Sequence, residues 1–96
     1  MAEKLTSKQR DTALRGLNGW VYDEASDAIS HVFKFKSFSE AFGFMTRVAI
    51  AADKAGHHPD WSNAYDSVTI VLSTHDAGGL TDKDVALAKA IDAILA

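Results

Sequence analysis

Three helix-start signatures divide the 96-residue chain and leave room for strands only in two pairs between them. Thr6-x-x-Gln9 and Ser37-x-x-Glu40 are capping boxes, in which a hydroxyl accepts from the backbone three residues on while the longer side chain reaches back. Gly16 is placed to end the first helix in the left-handed conformation that helix C-termini favour. After Ser37, the apolar residues Phe38, Ala41, Phe42, Met45, Ala49 and Ala52 recur at three- and four-residue steps as far as Gly56. That spacing predicts the principal helix, with one face for a sheet and the Phe42-x-Phe44-Met45 stripe in its core. Leu80 and Val85 bracket Thr81 as a hydrophobic staple, and Asp84 takes the third helical position. A last helix follows, its stripe running through Val85, Ala88, Ile91 and Leu95.

Between these helices, Trp20-Val21-Tyr22 and Ile29 to Phe35 are rich in aromatic and β-branched residues around a polar turn, which predicts a hairpin. A second hairpin is predicted from a strand at Asp60 to about Ala64, a turn at Tyr65-Asp66, and the alternation of Val68, Ile70 and Leu72 with Thr69, Val71 and Ser73. The order α-β-β-α-β-β-α has strands in consecutive pairs. It therefore predicts an α+β fold, a four-stranded antiparallel sheet with helices packed on one face. The other face is left for solvent, a site or a partner. Without linker, repeat or low-complexity tract, residues 1–96 read as a single domain, and at this size self-association would usefully add buried area.

Ten basic and thirteen acidic residues give a net charge of −3, with no run of like charge, which argues against direct nucleic-acid binding. The absence of cysteine excludes disulfides, thiolate nucleophiles and thiolate metal sites. No apolar stretch approaches the roughly 18 residues of a membrane span, and the N-terminus lacks the apolar core of a signal peptide. A soluble, cytoplasmic protein is the expectation.

The clue to chemistry is His57-His58-Pro59-Asp60-Trp61, with Thr74-His75 on the far arm of the second hairpin. A two-residue turn at Tyr65-Asp66 sets Ala64 opposite Ser67, and counting outward sets His58 opposite Ser73 and His57 opposite Thr74. His75 then lands beside His57. Adjacent residues in an extended strand point to opposite faces, so both histidines share a pocket only across an irregular segment, for which Gly56 supplies the freedom. Imidazole titrates near pH ~6.5, and three such rings in one water-free hollow suit acid–base catalysis.

Other readings are weaker. Zinc usually takes three or four ligands with cysteine pairs or helical i,i+4 histidines, and neither spacing occurs, so no metal is expected. His31 lies among Ile29, Phe33 and Phe35 and reads as structural. Trp20 and Trp61 read individually as core, although an aromatic wall near the histidines would suit a flat heterocycle. Gly78-Gly79 makes a turn before Thr81 and no phosphate loop.

Together these segments resemble the pterin-4a-carbinolamine dehydratases, also described as dimerisation cofactors of a homeodomain transcription factor. The likeness runs through Phe38 to Ala49, Asp53 to Asn63, Ser73-Thr74-His75, Gly79-Leu80-Thr81 and Asp84. The resemblance implies dehydration of 4a-hydroxytetrahydropterin to quinonoid dihydropterin, recycling the cofactor of aromatic amino acid hydroxylases, with no metal or organic cofactor. It marks His57, His58 and His75 as the active-site histidines, Asp53 as a supporting carboxylate where many members have glutamate, and Ser73-Thr74 as the edge of the pterin site. Trp61 and Trp20 are the candidate aromatic walls. Asp84 matches a further acidic position, with a structural explanation as a cap. A homodimer or homotetramer is implied, and the rival function is a non-enzymatic dimerisation and transcription co-regulator module using helix surfaces near Phe42 and Phe44.

Overall fold

A computed structural model describes residues 3–96. The elements are α1 (Ser7–Arg15), β1 (Val21–Asp23), β2 (Ala28–Lys34), α2 (Phe38–Ala55), β3 (Asp60–Ala64), β4 (Ser67–Leu72), a 3₁₀ turn (His75–Ala77) and α3 (Asp82–Leu95). The strands form one antiparallel sheet in the order β1-β2-β4-β3, so the two hairpins meet along β2 and β4. This is the α+β architecture that the strand pairing predicts.

Register follows from the second turn. Tyr65 takes a left-handed φ of 56°, and Ala64 pairs with Ser67, Trp61 with Ile70 and Asp60 with Val71. Alternation then sends Ile29, Phe33, Val68, Ile70 and Leu72 to the helix-covered face, where all five are buried. α2 adds Ala41, Phe44, Val48 and Ala52 and α3 adds Leu87, Ala88 and Ile91, closing one core. Val21 and Val32 lie exposed on the opposite face.

Four details depart from the sequence reading, the first being that Leu87 and not Leu95 joins Ala88 and Ile91 in the buried stripe of α3. Gly16 ends α1 in the right-handed region, at φ −89°, and the positive φ falls at Gly19, 85°, packed against the His31 ring. Ser37 accepts from the Glu40 amide, but the Glu40 carboxylate turns to the Lys36 amide, so only half of that capping box forms. The buried stripe of α2 is rotated from the expected one: Phe38, Phe42 and Ala49 are exposed while Phe44 and Val48 are inside. With apolar residues on two sides of the helix, periodicity alone does not say which side meets the sheet.

Candidate active site

α2 ends in a Schellman motif. Gly56 adopts φ 64°, its amide bonds to the Asp53 carbonyl, and the His57 amide bonds to the Ala52 carbonyl. That motif fixes where the chain leaves the helix, and the stretch His57–Pro59 stays irregular until Asp60 opens β3. Two adjacent imidazoles thereby reach one hollow without obeying strand alternation. On the other arm, β4 stops at Leu72, and Thr74 folds the chain into the 3₁₀ turn that begins at His75. The Thr74 carbonyl collects the amides of Ala77, Gly78 and Gly79, while its own amide donates to the Gly79 carbonyl.

These two arms form a cleft of about 270 Å³ lined by Gly56, His57, His58, Ser73, Thr74, His75, Asp76 and Lys83. All three sequence-predicted histidines therefore border the same space. Each also faces a carboxylate from a different element. His57 Nε2 is 2.5 Å from Asp84 Oδ1 of α3, His58 Nε2 is 3.0 Å from Asp53 Oδ1 of α2, and His75 Nε2 is 3.5 Å from Asp60 Oδ2 of β3.

The three pairs differ in environment. Asp84 is wholly buried and the His57 ring nearly so, whereas the side chains of His58 and His75 are 68% and 85% exposed. The site is thus an open cleft, not the water-free hollow expected, because the segments carrying His58 and His75 lie at the rim of the sheet with nothing described over them. In bulk-like solvent an exposed pair holds its geometry loosely, whereas a buried hydrogen-bonded pair holds it firmly. His57 is the fixed point of the cluster.

Around Asp84 the bonding is complete. Its Oδ2 accepts from the Thr81 amide at 2.9 Å and from the Thr74 hydroxyl at 2.9 Å, and the hydroxyls of Thr74 and Thr81 are 2.7 Å apart. Thr81 Oγ1 accepts from the Lys83 amide at 3.2 Å. The carboxylate that closes the α3 cap is the one that holds His57, so the structural and chemical readings of Asp84 are both satisfied by one side chain.

Of the other expected residues, Asp53 stands beside His58, and Ser73 and Thr74 line the cleft. The Thr74 hydroxyl is committed to Asp84, and the Ser73 hydroxyl donates to the Asp27 carbonyl at 3.2 Å. Neither tryptophan lines the cleft. Trp61 alternates onto the helix-covered face and packs against the core, and Trp20 is buried against His31 and Phe33 with its Nε1 donating to Asp92 at 2.9 Å. Sequence reasoning missed Asp60, Asp76 and Lys83. Only Asp60 carried a signal, two residues beyond His58 at the start of a strand whose partner leads to His75.

Residues 3–94 match the family model described as pterin 4 alpha carbinolamine dehydratase. The chain belongs to that family. A relative from Bradyrhizobium sp. (strain BTAi1 / ATCC BAA-1182), named as a pterin-4-alpha-carbinolamine dehydratase, is 57% identical, with 100% of this chain and 97% of the relative covered. A similarly named protein of Paraburkholderia xenovorans (strain LB400) is 54% identical over the full length of both. The crystal structure of a transcriptional coactivator/pterin dehydratase from Brucella melitensis superposes with a TM-score of 0.92 at 44% identity, covering 96% of this chain and 98% of that one. Among the described residues, no helix of this family member is long and apolar enough to cross a membrane.

Proposed function

We propose that the chain, as one dehydratase domain over residues 1–96, converts 4a-hydroxytetrahydropterin to quinonoid dihydropterin and water in the cytoplasm, recycling the cofactor of aromatic amino acid hydroxylases. What carries the reading is the convergence of His57, His58 and His75 on one cleft, in a chain that belongs to the carbinolamine dehydratase family. Loss of water from C4a needs a proton delivered to the departing hydroxyl and a proton withdrawn from N5. His57 acts as the acid at the hydroxyl, with Asp84 as the fixed counter-charge behind its ring, and His75 acts as the base at N5. His58, held by Asp53, positions the pterin, and the backbone of Ser73-Thr74 edges the ring. One proton leaves N5 and one joins the hydroxyl, so the step balances without a metal or organic cofactor.

Positioned acid–base groups typically contribute ~10²–10⁴-fold each, so His57→Ala and His75→Ala should each slow dehydration of freshly generated carbinolamine by about that factor. Circular dichroism checks that both variants fold. Wild-type turnover in both would end the proposal.

The co-regulator reading has one observation in its favour. Phe38, Phe42 and Ile50 are 47%, 56% and 66% exposed on α2, an apolar face that a homodimer or homotetramer, or a protein partner, would cover. Phe42→Glu, followed by sedimentation, separates the two activities: dissociation with dehydration retained assigns that face to assembly alone.

A further inference from the structure

The proton on the Thr74 hydroxyl has only one consistent destination. Asp84 Oδ2 is an acceptor, and a threonine has a single O–H to give. Thr74 therefore donates to Asp84, Thr81 donates to Thr74, and Thr81 Oγ1 in turn accepts from the Lys83 amide. With the Thr81 amide also directed at Oδ2, the other oxygen, Oδ1, is left to the His57 ring. The neutral imidazole then carries its hydrogen on Nε2, and Nδ1 is the nitrogen that takes up the proton His57 delivers to the hydroxyl.

We propose that Thr74 is a positioning residue that sets the tautomer and aim of His57 through Asp84, while its backbone shapes the turn carrying His75. Thr74 is thus the joint between the two histidines that move protons in the dehydration proposed above, on which this inference rests. Thr81 supports it as the donor to Thr74. The hydroxyl of Thr74 makes no use of substrate, because its hydrogen is already spent within a buried network in which no side-chain polar atom lacks a partner.

Valine keeps the shape of threonine without the hydroxyl, and serine keeps the hydroxyl without the methyl, so Thr74→Val and Thr74→Ser form the test. The first readout is the ¹⁵N spectrum of the His57 ring in ligand-free protein, which reports the tautomer whether or not the protein dehydrates anything. Thr74→Val should convert a single Nε2–H form into a mixture, and Thr74→Ser should restore it. The second readout is turnover of carbinolamine. Losing one hydrogen bond to a charged group predicts a fall in kcat of about 10- to 100-fold for the valine variant with KM little changed, and recovery in the serine variant. An unchanged His57 spectrum in folded Thr74→Val overturns the proposal, as does a loss carried by KM alone, which would make Thr74 a substrate contact. A wild-type protein inactive on carbinolamine with the tautomer shift present would sink the dehydratase reading and leave the Thr74 relay standing.

Discussion

Exchanging Asp84 for Asn and for Ala separates what that carboxylate does for the fold from what it does for His57. In Asp84→Ala, the Thr81 amide and His57 Nε2 lose their partner, and so does one threonine hydroxyl, because across the 2.7 Å between Thr74 and Thr81 only one of the two can donate. Three groups left without partners cost about 1–3 kcal/mol each, or about 3–9 kcal/mol together. That is a large share of the roughly 5–15 kcal/mol that holds a domain of this kind together. At about 4–8 °C per kcal/mol, Tm should fall by at least about 12 °C. In Asp84→Asn the amide oxygen still accepts from Thr81 and Thr74, so stability should stay within about 1 kcal/mol of wild type, the size of one hydrogen bond. The amide nitrogen, however, now faces His57 and donates, which forces the ring to accept through Nε2 and to put its hydrogen on Nδ1. A ring so held is neutral and has lost the counter-charge behind the imidazolium that an acid must be, so a loss of two to four orders of magnitude, the range of a positioned acid–base group, is expected here. Urea unfolding measures the first quantity and single-turnover dehydration the second. An Asn variant that turns over at the wild-type rate, or unfolds as readily as the Ala variant, would show that Asp84 does not hold His57 in this way.

Two further outcomes follow from the Asp27 carboxylate, which lies against Gly79 in the turn after His75, and from the end of α2. The Tyr22 hydroxyl donates to Asp27 Oδ1 at 2.7 Å and Lys4 lies 3.2 Å from Oδ2; the Tyr22 bond first, against the opposing effect of burial, holds the Asp27 carboxyl below the usual carboxylate range. An unfolded Asp takes up its proton near pH ~3.9, so this stabilisation is complete above that value and is lost as pH falls through the lower folded pKa. Tyr22→Phe should flatten the acid side of a urea-midpoint-against-pH curve below about pH 4, and an identical curve would show that the bond contributes nothing. At the glycines, a Cβ on Gly56 meets no atom within 4 Å, so Gly56→Ala should cost only the left-handed backbone term of about 1–2 kcal/mol. Gly79→Ala would drive its methyl into the Asp27 carboxylate and displace the turn that carries His75. The second variant should lose more stability and more activity than the first; the reverse order in paired melts and rate assays refutes the part given to Asp27.

The sequence carried the register of the second hairpin from Ala64–Ser67 out to Asp60–Val71, but the pairs counted beyond it, His58 with Ser73 and His57 with Thr74, do not form, because β3 begins at Asp60 and Thr74 bridges to Gly79. It carried the meeting of His57, His58 and His75 because both arms leave the same end of that hairpin, helped by a glycine that takes a left-handed φ without strain. Burial was less legible. Phe42 and Phe44 both fit helical spacing, and only the docking of α2 on the sheet decides that Phe44 goes in and Phe42 stays out. Trp61 lies close to the histidines in sequence, yet strand alternation turns it to the other side of the chain. The bond from Asp84 to His57 spans 27 residues and depends on how α3 docks, so local spacing shows the cap and hides the second task. Asp60 and His75 meet only because the chain turns sharply after β4, which no pattern in Ser73-Thr74-His75 announces.

The carboxylate of Asp84 sits in the opening turn of a 14-residue helix. Its buried, fully bonded cap makes this end firmer than a bare terminus, yet opening one helical turn still costs less than global unfolding. Each time that turn loosens, His57 loses its backing although the four strands remain paired. Warmth or mild denaturant should then silence the chemistry while spectroscopy still reports an intact protein, and the temperature at which the molecule ceases to work is governed by a few residues at one helix end.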